Sequence, residues 1–310
     1  MNAFYMLNHI PVHVSDTKTE KKPLVLLHGY LETLQIWDTF NLLTEDAFRV
    51  IAPDLPGHGL TGTYNVNTVE KQADMLFEYL ERQQIGTVLL AGHSMGGYVA
   101  QSFAMRYPGK VSALVLMHAV PWPDSDEKKA ARDRDIEKIR KGKLEQVAQR
   151  DVPLMYAPGN RKRLNEIIES TLVQAGIHDP AGIVASLKGM KERPSYVEFL
   201  HTLACPLVFF FGTQDSYISM ERAMEMEAMY PHARVIYLHG SGHNGFVEEP
   251  HTVAETFPYL IWKLIGKLYR TFTFLSRCLP GVQRGEEETT RTASLSMEGS
   301  RPRRTVTFFT

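Results

Sequence analysis

The chain has 310 residues, 44% of them apolar and 22% charged, with a formal net charge of −1. That length holds one large core, or a core with an insertion, and so even a charge balance gives no basis for nucleic acid as a partner. Cys205 and Cys278 stand in no metal or redox spacing, and the twelve histidines form no H-E-x-x-H pattern, so no disulfide framework, metal or cofactor is expected. The first ten residues, Met-Asn-Ala-Phe-Tyr-Met-Leu-Asn-His-Ile, carry no basic region and no long apolar run, and no stretch has the length of a membrane span. A cytoplasmic protein is the expectation.

Apolar runs predict strands at residues 10–14, 23–27 and 48–52. The second runs into His28-Gly29-Tyr30, and the third into Asp54-Leu55-Pro56-Gly57-His58-Gly59. Residues 67–83 read as a helix, with Val69, Ala73, Leu76, Phe77 and Leu80 spaced for one buried face. A strand at 87–90 leads into Gly92-His93-Ser94-Met95-Gly96-Gly97, and a helix over 95–107 follows, stopped by Pro108-Gly109. Residues 111–117 make the next strand. Strands alternating with helices predict a mostly parallel sheet.

After His118 the rhythm changes. Residues 121–203 are charged, helix-like and broken by prolines, too long for an ordinary connection. Basic and acidic residues nearly balance there, which reads as solvated surface, and Gly182 and Gly189 are candidate hinges. Strand character returns at 206–212, ahead of Gly-Thr-Gln-Asp215, and at 234–238, ahead of His239-Gly240-Ser241-Gly242-His243. Helical character beginning near His251 continues through Leu279. In that stretch Ile261, Leu264, Ile265, Leu268, Phe272 and Leu275 share one side, Lys263, Lys267, Arg270 and Arg277 the other. Such a helix over 261–279 fits packing on the body or on a second copy first, and a peripheral membrane surface second. Residues 280–310, rich in Ser, Thr, Arg and Glu, read as a disordered tail.

Ser94 stands in a G-x-S-x-G pattern between a strand and a helix, the setting in which a sharp turn presents a serine hydroxyl at the edge of a sheet. A serine needs a base to take its proton and an acid to orient that base. Asp215 and His243 lie in loops after later strands, in the chain order serine, acid, histidine. An aspartate there is also a common turn residue, and His239 and His251 compete with His243, which the glycine-rich loop favours. Backbone N–H groups of Tyr30 and Met95 are the candidate oxyanion donors. His28 reads as a loop-bonding histidine. His28, Gly29, His93, Trp122, Leu154, Met155 and Tyr156 are candidates to border a pocket.

These segments together resemble the α/β-hydrolase superfamily, in its serine-nucleophile, esterase- and lipase-like branch with a helical cap. The resemblance implies an α/β fold with a twisted, mostly parallel sheet flanked by helices. Its core would be residues 1–120 and 204–265, its cap 121–203, followed by a basic amphipathic extension at 266–279 and the tail at 280–310. It implies Ser94, Asp215 and His243 as nucleophile, orienting acid and base, with Tyr30 and Met95 as oxyanion donors. The activity it implies is a carboxylesterase-like reaction (EC 3.1.1) on a small-molecule acyl substrate, a small or medium ester, with no cofactor. Thioester cleavage, hydrolysis of a carbon–carbon bond in a diketone, cleavage after an N-terminal proline, perhydrolysis, and slow turnover in a ligand receptor share the same residues.

Overall fold

The computed structural model describes residues 1–255. Eight strands form one sheet: β1 (Asn2–Leu7), β2 (Ile10–Asp16), β3 (Lys22–Leu27), β4 (Phe48–Pro53), β5 (Val88–His93), β6 (Val111–Met117), β7 (Leu207–Gly212) and β8 (Arg234–Leu238). Their spatial order is β1-β2-β4-β3-β5-β6-β7-β8. The β1–β2 and β2–β4 pairs are antiparallel, and every other pair is parallel. Every residue of β5 and β7 is buried, as expected of parallel strands covered on both faces. That burial is why their apolar runs are continuous rather than alternating.

On these faces lie α1 (Asp38–Thr44), α2 (Val69–Arg82) and α3 (Met95–Arg106). Thr68 caps α2 by accepting the Lys71 N–H, and Val69, Ala73, Leu76 and Leu80 turn inward. β1 is not among the predicted strands. It lies at the sheet edge and leaves Phe4 and Met6 exposed, so it shows alternation without a solid apolar run.

Between β6 and β7 the chain forms only helices: α4 (Asp126–Arg140), α5 (Leu144–Asp151), α6 (Asn165–Ile177), α7 (Pro180–Glu192) and α8 (Val197–His201), with short 3-10 turns among them. Further on come α9 (Met220–Met229), capped by Ser219, and the short α10 (Gly245–Glu248). Gly182 and Gly189 face the loops before α2. A Cβ on Gly182 would lie 2.7 Å from the Gly57 Cα, and one on Gly189 would overlap the Asn67 carbonyl oxygen. Asn67 also donates to the Gly182 carbonyl and Ser186 Oγ of α7. These glycines therefore permit close packing of α7 on the sheet domain, and the hinge expectation gives way to a contact.

The chain reverses direction of sheet growth at β3, with β4 on one side and β5 on the other. Such a switch point opens a crevice beyond the carboxyl ends of the strands. Leu27 pairs with Gly92, His93 with Met117, Met117 with Phe210, and Gly212 with Leu238. These strand ends thus align, and the loops carrying Tyr30, Ser94, Asp215 and His243 leave from one edge. Among the described residues no helix is long and apolar enough to cross a membrane. The predicted extension at 266–279, the tail at 280–310 and the surface assigned to 261–279 lie outside the described residues.

Candidate active site

Ser94 occupies the tight turn between β5 and α3 with φ +49° and ψ −112°, a backbone region costly for a residue with a side chain. The turn closes because Gly92 and Gly96 pass each other without side chains: a Cβ on Gly96 would collide with the Leu27 carbonyl. The Ser94 N–H donates to the Met117 carbonyl at 2.9 Å, tying the turn to β6. Ser94 is left partly open at the sheet edge.

Ser94 Oγ lies 2.9 Å from His243 Nε2, and His243 Nδ1 lies 2.8 Å from Asp215 Oδ2. The other oxygen of Asp215 accepts the N–H groups of Tyr217 at 2.7 Å and Ile218 at 3.1 Å. Burial works against charge on this carboxyl. The neighbouring His243 ring and the hydrogen bonds from His118 and His243 outweigh it and hold Asp215 well below the usual carboxylate range. An ionised, fixed Asp215 keeps a hydrogen on His243 Nδ1 and leaves Nε2 free to accept the serine proton. His239 and His251 take no part in this array.

Met95 is the first residue of α3, where leading N–H groups have no helical partner. Among the described residues, no backbone acceptor takes the Tyr30 or Met95 N–H. Leu31 has φ +64°, turning the chain directly after Tyr30.

A cavity of about 520 Å³ opens on Ser94 and His243, a size suited to a small ligand. Trp122 and Met155 line it, with Tyr30, Tyr98, Met190 and Tyr217. Five other candidates for its wall do not. His28 is buried, bonded to the Gly29 carbonyl and to the Leu55 N–H. Gly29 and His93 are buried too, Tyr156 is wholly core, and Leu154 points outward with 39% of its surface exposed. Met155 acts through its carbonyl as well, which accepts the N–H groups of His243 at 2.8 Å and Asn244 at 2.9 Å. The helical insert thereby braces the loop of the base.

The charged run is not all solvated surface. Arg132, Asp135, Arg150 and Asp151 face this cavity, together with Lys128, Arg193 and Arg222. Asp124 bonds both Arg132 and Arg193, and Arg150 pairs with Asp135 at 2.8 Å and Asp151 at 2.7 Å. The Arg193 guanidinium lies 3.9 Å over the Tyr98 ring, and Arg222 lies 3.7 Å over Trp122. These partners sit on different elements, so periodicity along one helix could not reveal them.

His118 and Glu32 are site residues that sequence reasoning missed. His118 directly follows β6 at the same sheet edge, a signal available from the strand prediction. Its Nδ1 is 3.1 Å from Asp215 Oδ2, and burial pushes its pKa down to about 4. Among the described residues, His118, Asp215 and His243 are the one group whose ligand atoms converge as a metal would need, within 4.8 Å of one another. Those atoms are already committed to hydrogen bonds with each other and with Ser94.

A family model for the alpha/beta hydrolase fold matches residues 22–250. The chain belongs to that family. A thermophilic esterase from Thermogutta terrifontis, solved with malate bound, superposes with a TM-score of 0.80 at 28% identity, covering 85% of this chain and 99% of that one. A pimeloyl-[acyl-carrier protein] methyl ester esterase of Proteus mirabilis is 26% identical over 240 residues, 76% of this chain and 91% of that protein. A 2-hydroxy-6-oxononadienedioate/2-hydroxy-6-oxononatrienedioate hydrolase of Burkholderia vietnamiensis is 28% identical over 251 residues, 75% of this chain and 84% of that protein. These three relatives of this α/β-hydrolase chain are named as esterases and a hydrolase.

Proposed function

We propose that this α/β-hydrolase cleaves a short or medium carboxylic ester through an acyl-enzyme on Ser94. The observation that carries the reading is the Ser94–His243–Asp215 array, with contacts of 2.9 and 2.8 Å at the mouth of the cavity. Ser94 Oγ attacks the ester carbonyl as His243 Nε2 takes its proton, and Asp215 stabilises the imidazolium. The N–H groups of Tyr30 and Met95 receive the oxyanion. His243 protonates the departing alcohol, then draws a proton from water as that water attacks the acyl group, and returns it to Ser94 Oγ as the bond from that oxygen to the acyl carbon breaks and the acid leaves. Residues 121–203 serve as the cap that shapes the binding space.

The cavity wall favours a substrate with a polar or acidic group over a bare hydrocarbon chain. Of the five cationic side chains that line it, Arg132 and Arg193 pair with Asp124, Arg150 with Asp135 and Asp151, and Arg222 with Glu225, which leaves Lys128 with no acidic partner among the described residues. Names of the relatives point the same way, since a pimeloyl ester and a dienedioate both carry oxygen functions remote from the reacting bond. The test is a comparison of kcat/KM for para-nitrophenyl acetate, butyrate and octanoate with that for a monoester of a dicarboxylic acid, in the parent and in Arg132→Ala. The reading expects the acid monoester or the short esters to be preferred, and Arg132→Ala to weaken the acid monoester selectively. Octanoate preferred by both proteins would refute the polar-substrate part.

A further inference from the structure

Glu32 is a carboxylate with 1% of its surface exposed, in the same loop as Tyr30. Burying a charge there is costly, and the side chain is surrounded by donors from three loops. Its Oε2 accepts the Gly29 N–H at 2.7 Å from its own loop and meets His93 Nδ1, next to Ser94, at 2.9 Å. Its Oε1 accepts Asn244 Nδ2 at 3.0 Å from the loop of the base. His93 Nε2 in turn lies 3.0 Å from the His243 carbonyl oxygen. A carbonyl oxygen only accepts, so Nε2 must carry a hydrogen. An ionised Glu32, already accepting two N–H groups, only accepts as well, and so calls for a hydrogen on Nδ1 too. Burial would raise the Glu32 pKa, but His93 and the Gly29 N–H hold it below the usual range.

We propose that Glu32 and His93 form a buried ion pair that positions the reacting groups, locking the loops of Tyr30, Ser94 and His243 to one another. This role rests on Ser94 and His243 acting as nucleophile and base. Neither Glu32 nor His93 touches the Ser94 hydroxyl in this arrangement; they are positioning residues. The pair fixes the backbone on either side of the serine–histidine contact, bridging segments that are 61 and 150 residues apart in sequence. A neutral glutamine in place of Glu32 could still bond to Gly29, yet it could not hold hydrogens on both nitrogens of His93.

The test uses the full chain in four forms: parent, Glu32→Gln, His93→Gln and Ser94→Ala. Nitrogen-15 spectra at neutral pH, with His93 assigned by its loss in His93→Gln, read the pair independently of turnover. The expected spectra show hydrogens on both His93 nitrogens in the parent and in Ser94→Ala, and on one only in Glu32→Gln. Steady-state hydrolysis of para-nitrophenyl acetate should show kcat lowered on the order of 10- to 100-fold in Glu32→Gln, with KM changed by less than about 3-fold, the cost expected when reacting groups are slightly misplaced. A singly protonated His93 in the parent would overturn the ion pair. Folded Glu32→Gln with parental kcat, while Ser94→Ala is inactive, would overturn the positioning role alone. Turnover retained by Ser94→Ala would overturn the nucleophile assignment, and the positioning role with it.

Discussion

His118 and His243 converge on a single oxygen of Asp215, at 3.1 and 2.8 Å. The His118 Nε2 atom also accepts the Gly245 N–H at 3.3 Å, so this imidazole links the acid to the loop just after the base. With its pKa pushed down to about 4 by burial, His118 is neutral at ordinary pH and donates one hydrogen to Asp215. Replacing it by Phe removes that donor and strands the Gly245 N–H. The expected cost is about 1–3 kcal/mol of stability, the penalty for unsatisfied buried groups. Turnover should fall by roughly 10-fold as Asp215 loosens its hold on His243. Thermal unfolding and kcat for His118→Phe check both.

The reacting array itself sets larger expectations. Ser94→Ala and His243→Ala should each lower kcat by about 10⁴–10⁶, and Asp215→Asn by about 10³–10⁴, because the three act as a unit. The double variant Ser94→Ala/His243→Ala should be scarcely worse than either single one. Additive losses would show that the two groups work separately.

Packing of α7 gives a third expectation. Ala at position 189 would press its methyl into the Asn67 carbonyl, where the nearest atoms are backbone and nothing flexible can yield. Gly189→Ala should cost about 1–3 kcal/mol, as overpacking does, and raise KM by shifting α7, which contributes Leu187 and Met190 to the cavity wall. Denaturant unfolding and steady-state kinetics test this; an unchanged KM would show that the insert's position does not govern binding.

Acid should destabilise the fold earlier than carboxylates alone would dictate. Burial depresses the pKa of His28, His58, His118 and His178, with His118 and His178 at about 4. The unfolded chain binds these protons near pH 6.5 while the folded chain refuses them. Stability is therefore full above roughly pH 6.5 and declines as pH falls toward 4, by on the order of 1 kcal/mol per pH unit for each such histidine. His58 and His178 meet edge to face at a ring separation of 5.3 Å, between the sheet domain and the insert. A thermal midpoint that is flat across this range would contradict their burial as neutral rings.

Much of this can be read from the sequence because parallel strands buried on both faces produce unbroken apolar runs, as in β5 and β7. The loops following those runs mark one sheet edge, which is what makes Ser94, Asp215 and His243 recognisable as neighbours in space. Glu32 leaves no comparable trace. Its partners His93 and Asn244 lie 61 and 212 residues away, and a glutamate in a loop has solvent as its default fate. The cavity wall escapes sequence reasoning for a related reason: Arg132 lies in α4 and Arg193 just beyond α7, and they meet only at Asp124. Local pattern specifies elements, whereas ion pairs between elements need the fold.

The nucleophilic role of Ser94 is tested by turnover of para-nitrophenyl butyrate by the parent chain and by Ser94→Ala, with product counted per protein. An acyl-enzyme on Ser94 requires many turnovers by the parent and a loss of about 10⁴-fold or more in the folded variant. Equal turnover by both proteins, or a parent that stops after one product per chain, would contradict it.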